Sequence, residues 1–179
     1  MSVVKAKRGE TQYKPYVEAK KLRRDIMDLM LRDFGYKETL VSEYYKSGKK
    51  KTLEEYQRDL DKREHEKEFF AWFVASERDY IIDLLRKLEY CIQMGRDITP
   101  TVYAEYVERR LWFDRAIANA RSLIDELQFI IETLPVDINK YIKYSDQIED
   151  LIETIKKYRR KDNKRYKHLI EGAERGSST

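Results

Sequence analysis

The connector Leu134-Pro135-Val136-Asp137 decides how this chain is read, because it separates two long stretches of helical periodicity, Thr101 to Thr133 and Ile138 to Lys167. Upstream of it, Tyr103, Val107, Ile117, Ile124, Leu127, Ile131 and Leu134 recur along one side of a helix, with Arg110 on the same side. At about 1.5 Å per residue that helix is roughly 50 Å long. Downstream, Asp137 supplies a capping carboxylate for a helix carrying Ile138, Tyr141, Ile142, Ile148, Ile152 and Ile155. Two long amphipathic helices joined by so short a link must lie antiparallel and share their apolar faces.

Working outward, Pro15 to about Phe34 forms a first helix. Val17, Leu22, Ile26, Leu29, Met30 and Phe34 fall at spacings of three and four, Pro15 sits in the opening turn and Gly35 follows as a stop. A second long helix is expected from about Glu68 to Met94, with Phe69, Phe73, Tyr80, Leu84, Leu88 and Cys91 or Ile92 on one face and Gly95 closing it. Thr101 is the expected cap of the next. Between Tyr36 and Glu68 the chain is charged and irregular, with a loop read at Ser47 to Thr52. Leu53 to Glu68, carrying only Leu53, Tyr56 and Leu60 as apolar anchors, is either a solvated extension of the following helix or a mobile arm.

The fold class expected is therefore all-α, an antiparallel up-down four-helix bundle. A basic extension over 1–13 precedes the bundle at 14–163, which carries the charged insertion at about 36–68, and a basic tail covers 164–179. The composition agrees, since 179 residues with 41% hydrophobic and 39% charged residues but only 6 Gly and 3 Pro favour helices over a turn-rich β fold. A single cysteine, Cys91, cannot close an intramolecular disulfide and reads as a buried structural thiol. No signal-like leader and no apolar run of about 20 residues is present, so a cytoplasmic protein without a membrane partner is expected.

Charge distribution carries more than the net charge of +4. From Lys156 to Lys167 the cations Lys156, Lys157, Arg159, Arg160, Lys161, Lys164, Arg165 and Lys167 meet one acid, Asp162. A phosphate backbone can engage several at once, although basic residues near a helix C-terminus also suit the macrodipole without any ligand. Lys20, Lys21, Arg23 and Arg24, with Lys5, Lys7, Arg8 and Lys14 ahead of them, make a second basic cluster. In an antiparallel bundle the first helix begins where the fourth finishes, so the two clusters are expected at one end. Tyr158 and Tyr166 inside the basic run are candidates for base stacking, against the plainer reading that they face the bundle.

Arg109 and Arg110 lie beside the apolar stripe, and a buried arginine needs a partner. Asp114 offers one within the helix, four residues after Arg110; the alternative is that one of these arginines reaches across a subunit interface. Both readings stay open. Catalysis is not expected. His65 and His168 have no His or Cys at metal-ligand spacing, the Glu-x-x-His pairs of di-iron bundles are absent, and no phosphate loop or nucleophile elbow occurs, so neither metal nor cofactor is called for. Acids such as Glu149 and Glu153 read as a solvated face.

One resemblance extends this reading. Tyr106-Val107-Glu108-Arg109-Arg110, Arg115-Ala116-Ile117-Ala118-Asn119, Leu134-Pro135-Val136-Asp137-Ile138-Asn139-Lys140-Tyr141 and Tyr158-Arg159-Arg160-Lys161-Asp162-Asn163-Lys164 resemble the accessory variability determinant (Avd) family of diversity-generating retroelements. Arg32-Asp33-Phe34-Gly35-Tyr36-Lys37 is similar to the opening helix of its longer members. The resemblance implies a non-enzymatic partner of a reverse transcriptase, a homo-oligomer assembled as a pentameric barrel, that binds template-repeat RNA and its cDNA in mutagenic retrohoming, in a bacterial or phage-infected cell. The insertion near 36–68 and the tail after Asn163 depart from the compact members. A different reading is a structural or protein-interaction bundle whose basic ends hold an acidic protein or a ribosomal particle.

Overall fold

The computed structural model describes residues 13–36 and 53–176, and the fold is all-α. Its helices are α1 (Lys14–Met30), α2 (Leu53–Asp97), α3 (Tyr103–Thr133), α4 (Asn139–Arg165) and α5 (Lys167–Gly176), with a short 3-10 turn at Asp33–Gly35. The expected basic extension and the loop at Ser47 to Thr52 lie outside the described residues, Tyr13 excepted.

Helix α1 opens on Pro15 and buries Ala19, Leu22, Ile26, Leu29 and Met30 on one stripe. It ends four residues before the expected Phe34. Asp33, Phe34 and Gly35 all take positive φ, at 49, 57 and 81°, which Gly tolerates and the other two resist. Tertiary contacts hold them there. The Phe34 side chain is fully buried and its carbonyl accepts the Tyr141 hydroxyl from α4, while Arg78 of α2 donates to the Met30 carbonyl at 2.9 Å and to the Asp33 carboxylate.

Helix α2 is one uninterrupted run of 45 residues, about 68 Å long; Leu53 to Glu68 is thus helical and continuous with the rest. No Gly or Pro interrupts Leu53 to Met94, and Glu, Lys, Arg and Gln lose little rotamer freedom in a helix. Its buried stripe is Phe73, Val74, Ile81, Leu84, Leu85, Leu88, Cys91 and Ile92, whereas Phe69 and Tyr80, expected on that face, are each 46% exposed. Gly95 does not stop the helix, which runs on to Asp97. Gly95 is a packing residue: a Cβ there would lie 2.7 Å from the Phe113 ring of α3.

The face of α3 differs in part from the expected one: Ile117, Leu127 and Leu134 are buried as expected. Tyr106, Arg109, Phe113, Ala116, Ile117, Ala120, Leu123, Leu127 and Ile130 are buried, while Tyr103 is exposed and Ile124 and Ile131 pack at the margin. Two apolar stripes share this helix, and the one bearing small alanines faces the core because it lets α2 approach closely. At its start, Thr101 donates its N–H and hydroxyl to the Glu105 carboxylate at 2.7 and 2.8 Å rather than accepting as a cap. Asp137 does cap α4, accepting the Asn139 N–H at 3.1 Å.

Helix α1 packs on α2 and α4, and α3 packs on the same two. Successive helices run in opposite directions: Arg23 and Met30 of α1 meet Glu89 and Arg78 of α2, and Tyr106 and Asp114 of α3 meet Asn163 and Arg159 of α4. Helix α5, where a basic tail was expected, folds against α3 and α4.

Candidate nucleic-acid interface

The buried pair Arg109–Asp162 organises one end of the molecule. The Arg109 Nε donates to Asp162 Oδ2 at 2.7 Å, and Nη1 donates to the carbonyls of Gly95 (2.6 Å), Arg96 (3.2 Å) and Ile98 (2.8 Å). Those carbonyls close α2 and have no intrahelical partner. One guanidinium, with five donors, thus caps α2, anchors α4 and stands on α3. Tyr13, just before α1, completes the corner: its ring packs edge-on to Tyr158 of α4 at 5.0 Å. Burial pushes the Tyr13 phenol well above its usual range, with nearby Asp162 adding to that and Arg109 opposing it.

Around this corner the cations of α4 divide into two sets. Arg159 is paired with Asp114 of α3, Lys156 donates to Glu153 at 2.7 Å and Arg160 lies 3.6 Å from the same carboxylate, while Lys167, which opens α5, lies 3.1 Å from Glu171. The Lys156 hydrogen bond holds the Glu153 carboxyl below its usual range, with Arg160 and Lys157 adding through space. Lys161, Lys164 and Arg165 are exposed and have no carboxylate partner among the described residues; Lys161 and Arg165 lie over the rings of Tyr158 and Tyr166. On α1, Arg23 bonds Glu89 at 3.0 Å and Lys20 covers the Tyr16 ring at 4.3 Å, whereas Lys21 and Arg24 are exposed and lack such a partner. Lys14 pairs with Glu18. Lys5, Lys7 and Arg8 lie outside the described residues.

Arg110, Lys156, Arg159, Arg160 and Asn163 line a shallow groove of about 260 Å³ between α3 and α4. None of the α1 cations lines it. Tyr106 donates its hydroxyl to Asn163 Oδ1 at 2.7 Å and Arg110 reaches the same oxygen at 3.4 Å, which fixes the groove's floor.

Three expectations need correction. Tyr166 is only 6% exposed, packed against Tyr106, so its ring is not open to a base. Arg109 is consumed by Asp162 and the α2 carbonyls within the same chain and is not available to a neighbouring subunit. Asp114 serves Arg159 across the helices rather than Arg110 along its own. Tyr158 remains half-buried, with Tyr13 against it.

Asp162 itself was visible only as the lone acid of a basic run. Its spacing carried more: Ile148, Leu151, Ile152, Ile155, Asp162 and Tyr166 continue one core-facing stripe, which marks the acid as buried and in need of a cation. Cys91 is buried and accepts a weak hydrogen bond from Asn119 at 3.6 Å; burial pushes its thiol up. Among the described residues no cluster of three metal-ligating side chains occurs, and no helix is long and apolar enough to cross a membrane. Comparison of the chain with protein-family models, curated proteins and solved structures gives no match.

Proposed function

We propose that this chain is a non-enzymatic nucleic-acid-binding scaffold, the accessory subunit of a diversity-generating retroelement reverse transcriptase, holding template RNA or its cDNA hybrid while the polymerase performs synthesis. The observation that carries the reading is the finish of α4, where Lys161, Lys164 and Arg165 are exposed with no carboxylate partner among the described residues and Tyr13, the residue just before α1, packs alongside on Tyr158. Lys157, Lys161, Lys164 and Arg165 fall within a nine-residue stretch there, so several phosphates can be neutralised together; Lys21 and Arg24 lie farther along α1, beside Asp25, which accepts from Gln147 of α4 at 2.9 Å, and do not join them. In this reading the four long helices are an antiparallel up-down four-helix bundle, and copies assemble into a pentameric ring, as the family resemblance implies.

The test replaces Lys157, Lys161, Lys164 and Arg165 together with Gln. These four leave the Arg159–Asp114 and Arg109–Asp162 pairs intact, so helicity and unfolding midpoint should stay at parental values. Affinity for single-stranded RNA should fall by about 100-fold at moderate salt. A folded variant that binds RNA as tightly as its parent sinks the assignment, and binding instead to an acidic protein would favour the interaction-bundle reading.

A further inference from the structure

We propose a second ligand site at the opposite pole, a nucleotide-binding cavity between the end of α1 and the start of α4. The cavity is about 520 Å³, with an apolar wall of Leu29, Tyr36 and Tyr144 and a rim of Arg32, Lys140 and Lys143. Its volume is that of a small-molecule pocket and exceeds what a lone phosphate fills.

The cations are what make the cavity unusual. Unlike Arg159 or Lys156 in the groove at the other end, Arg32, Lys140 and Lys143 have no carboxylate partner among the described residues. Asp33, the nearest acid in sequence to Arg32, is bound by Arg78. Lys140 and Lys143 stand three residues apart on α4, where like charges repel. They also occupy the opening of a 27-residue helix whose first turn contains no acid, which is where the macrodipole disfavours a cation. The Asn139 N–H is already taken by Asp137, so the backbone there does not supply the anion site; the side chains do.

The positions are fixed by neighbouring structure. Gly35, at φ 81°, brings the 3-10 turn against Lys140, whose Cδ would lie 3.9 Å from a Cβ at that position, and the Tyr141–Phe34 hydrogen bond ties the two elements together. Lys143 rests 4.5 Å above the Tyr144 ring. Three positive charges without a carboxylate partner among the described residues, set around an apolar, tyrosine-lined space, fit a ligand with a multiply charged anionic part and a flat ring. A nucleoside diphosphate, or a nucleotide unit of a strand, has that chemistry.

Calorimetric titration of the full chain with ADP, inorganic phosphate and a short single-stranded oligoadenylate tests this. ADP should bind more tightly than phosphate, equally well to the parent and to the variant lacking Lys157, Lys161, Lys164 and Arg165, and about tenfold or more weakly to the triple variant R32Q/K140Q/K143Q. The first comparison separates this site from the cationic end, whose own failure is read from RNA binding by the other variant. Displacement of ADP by oligoadenylate assigns the site to a strand, and lack of displacement to free nucleotide. Removing like charges should leave the triple variant as heat-stable as its parent; if it does not fold, the exposed single substitution Lys143→Glu gives the same reading. Absence of ADP binding at about 1 mM, phosphate binding as well as ADP, or a variant that keeps parental affinity overturns the proposal.

Discussion

Arg109 and Asp162 show how two residues 53 positions apart fix a corner of the molecule. Removing one leaves the other charged and dry, so Arg109→Met should cost about 3–5 kcal/mol, read from urea unfolding. The double variant R109M/D162L should recover part of that loss, because it strands no charge and leaves only the α2 carbonyls without their donor. Glu77 is the second residue whose surroundings predict behaviour. It is 8% exposed on α2, and burial, with Glu126 of α3 adding to it, raises its carboxyl from 4.5 to about 7. The folded chain then holds a proton that the unfolded chain has released, so stability declines as pH climbs from 4.5 to about 7 and levels off above. Glu77→Gln should flatten that decline, matching the parent near pH ~4 and exceeding it by about 1–3 kcal/mol near pH ~8. Equal slopes of unfolding midpoint against pH in both proteins would refute the assignment.

Among the described elements, the α2–α3 contact is the most extensive. Gly95→Ala puts a methyl 2.7 Å from the fully buried Phe113 ring, and the forced displacement should lower stability by about 1–3 kcal/mol. Gly172→Ala provides the contrast, since nothing lies within 4 Å of a Cβ there and α5 gains a better helix former, worth about 0.5–1 kcal/mol. Thermal unfolding of the two variants should therefore shift in opposite directions. The continuity of α2 was foreshadowed by its lack of Gly and Pro, and the Asp137 cap was legible in the connector. Which stripe of α3 turns inward was not. Val107, Ile124 and Ile131 compete with Phe113, Ala120 and Leu123 on periodicity alone, and the choice is made by what α2 and α4 present opposite.

At the scale of the whole molecule, the proposed function depends on charge that survives internal neutralisation. RNA affinity should fall steeply with salt. Replacing Lys157, Lys161, Lys164 and Arg165 should reduce the slope of log affinity against log salt by about three, at roughly 0.7 per phosphate contact on a single strand. Fluorescence anisotropy at several ionic strengths measures it, and an unchanged slope would mean the four cations touch no phosphate. A solution mass of several chains, by light scattering, is expected of the ring; a monomer would remove that part of the proposal and leave the RNA contacts standing.

Sequence alone determined that the chain is helical, the Asp137 cap and the early placement of Pro15, because periodicity and capping act over a few residues. It also located the dense basic run, which is a property of composition. Only the tertiary structure decided which cations are paired with a carboxylate among the described residues, that Tyr166 is enclosed, that Asp33 and Phe34 take left-handed backbone, and that Arg109 belongs to Asp162. Each of these depends on side chains brought opposite one another from helices far apart in the chain, and electrostatic compensation in a folded protein follows that three-dimensional proximity rather than spacing along the sequence.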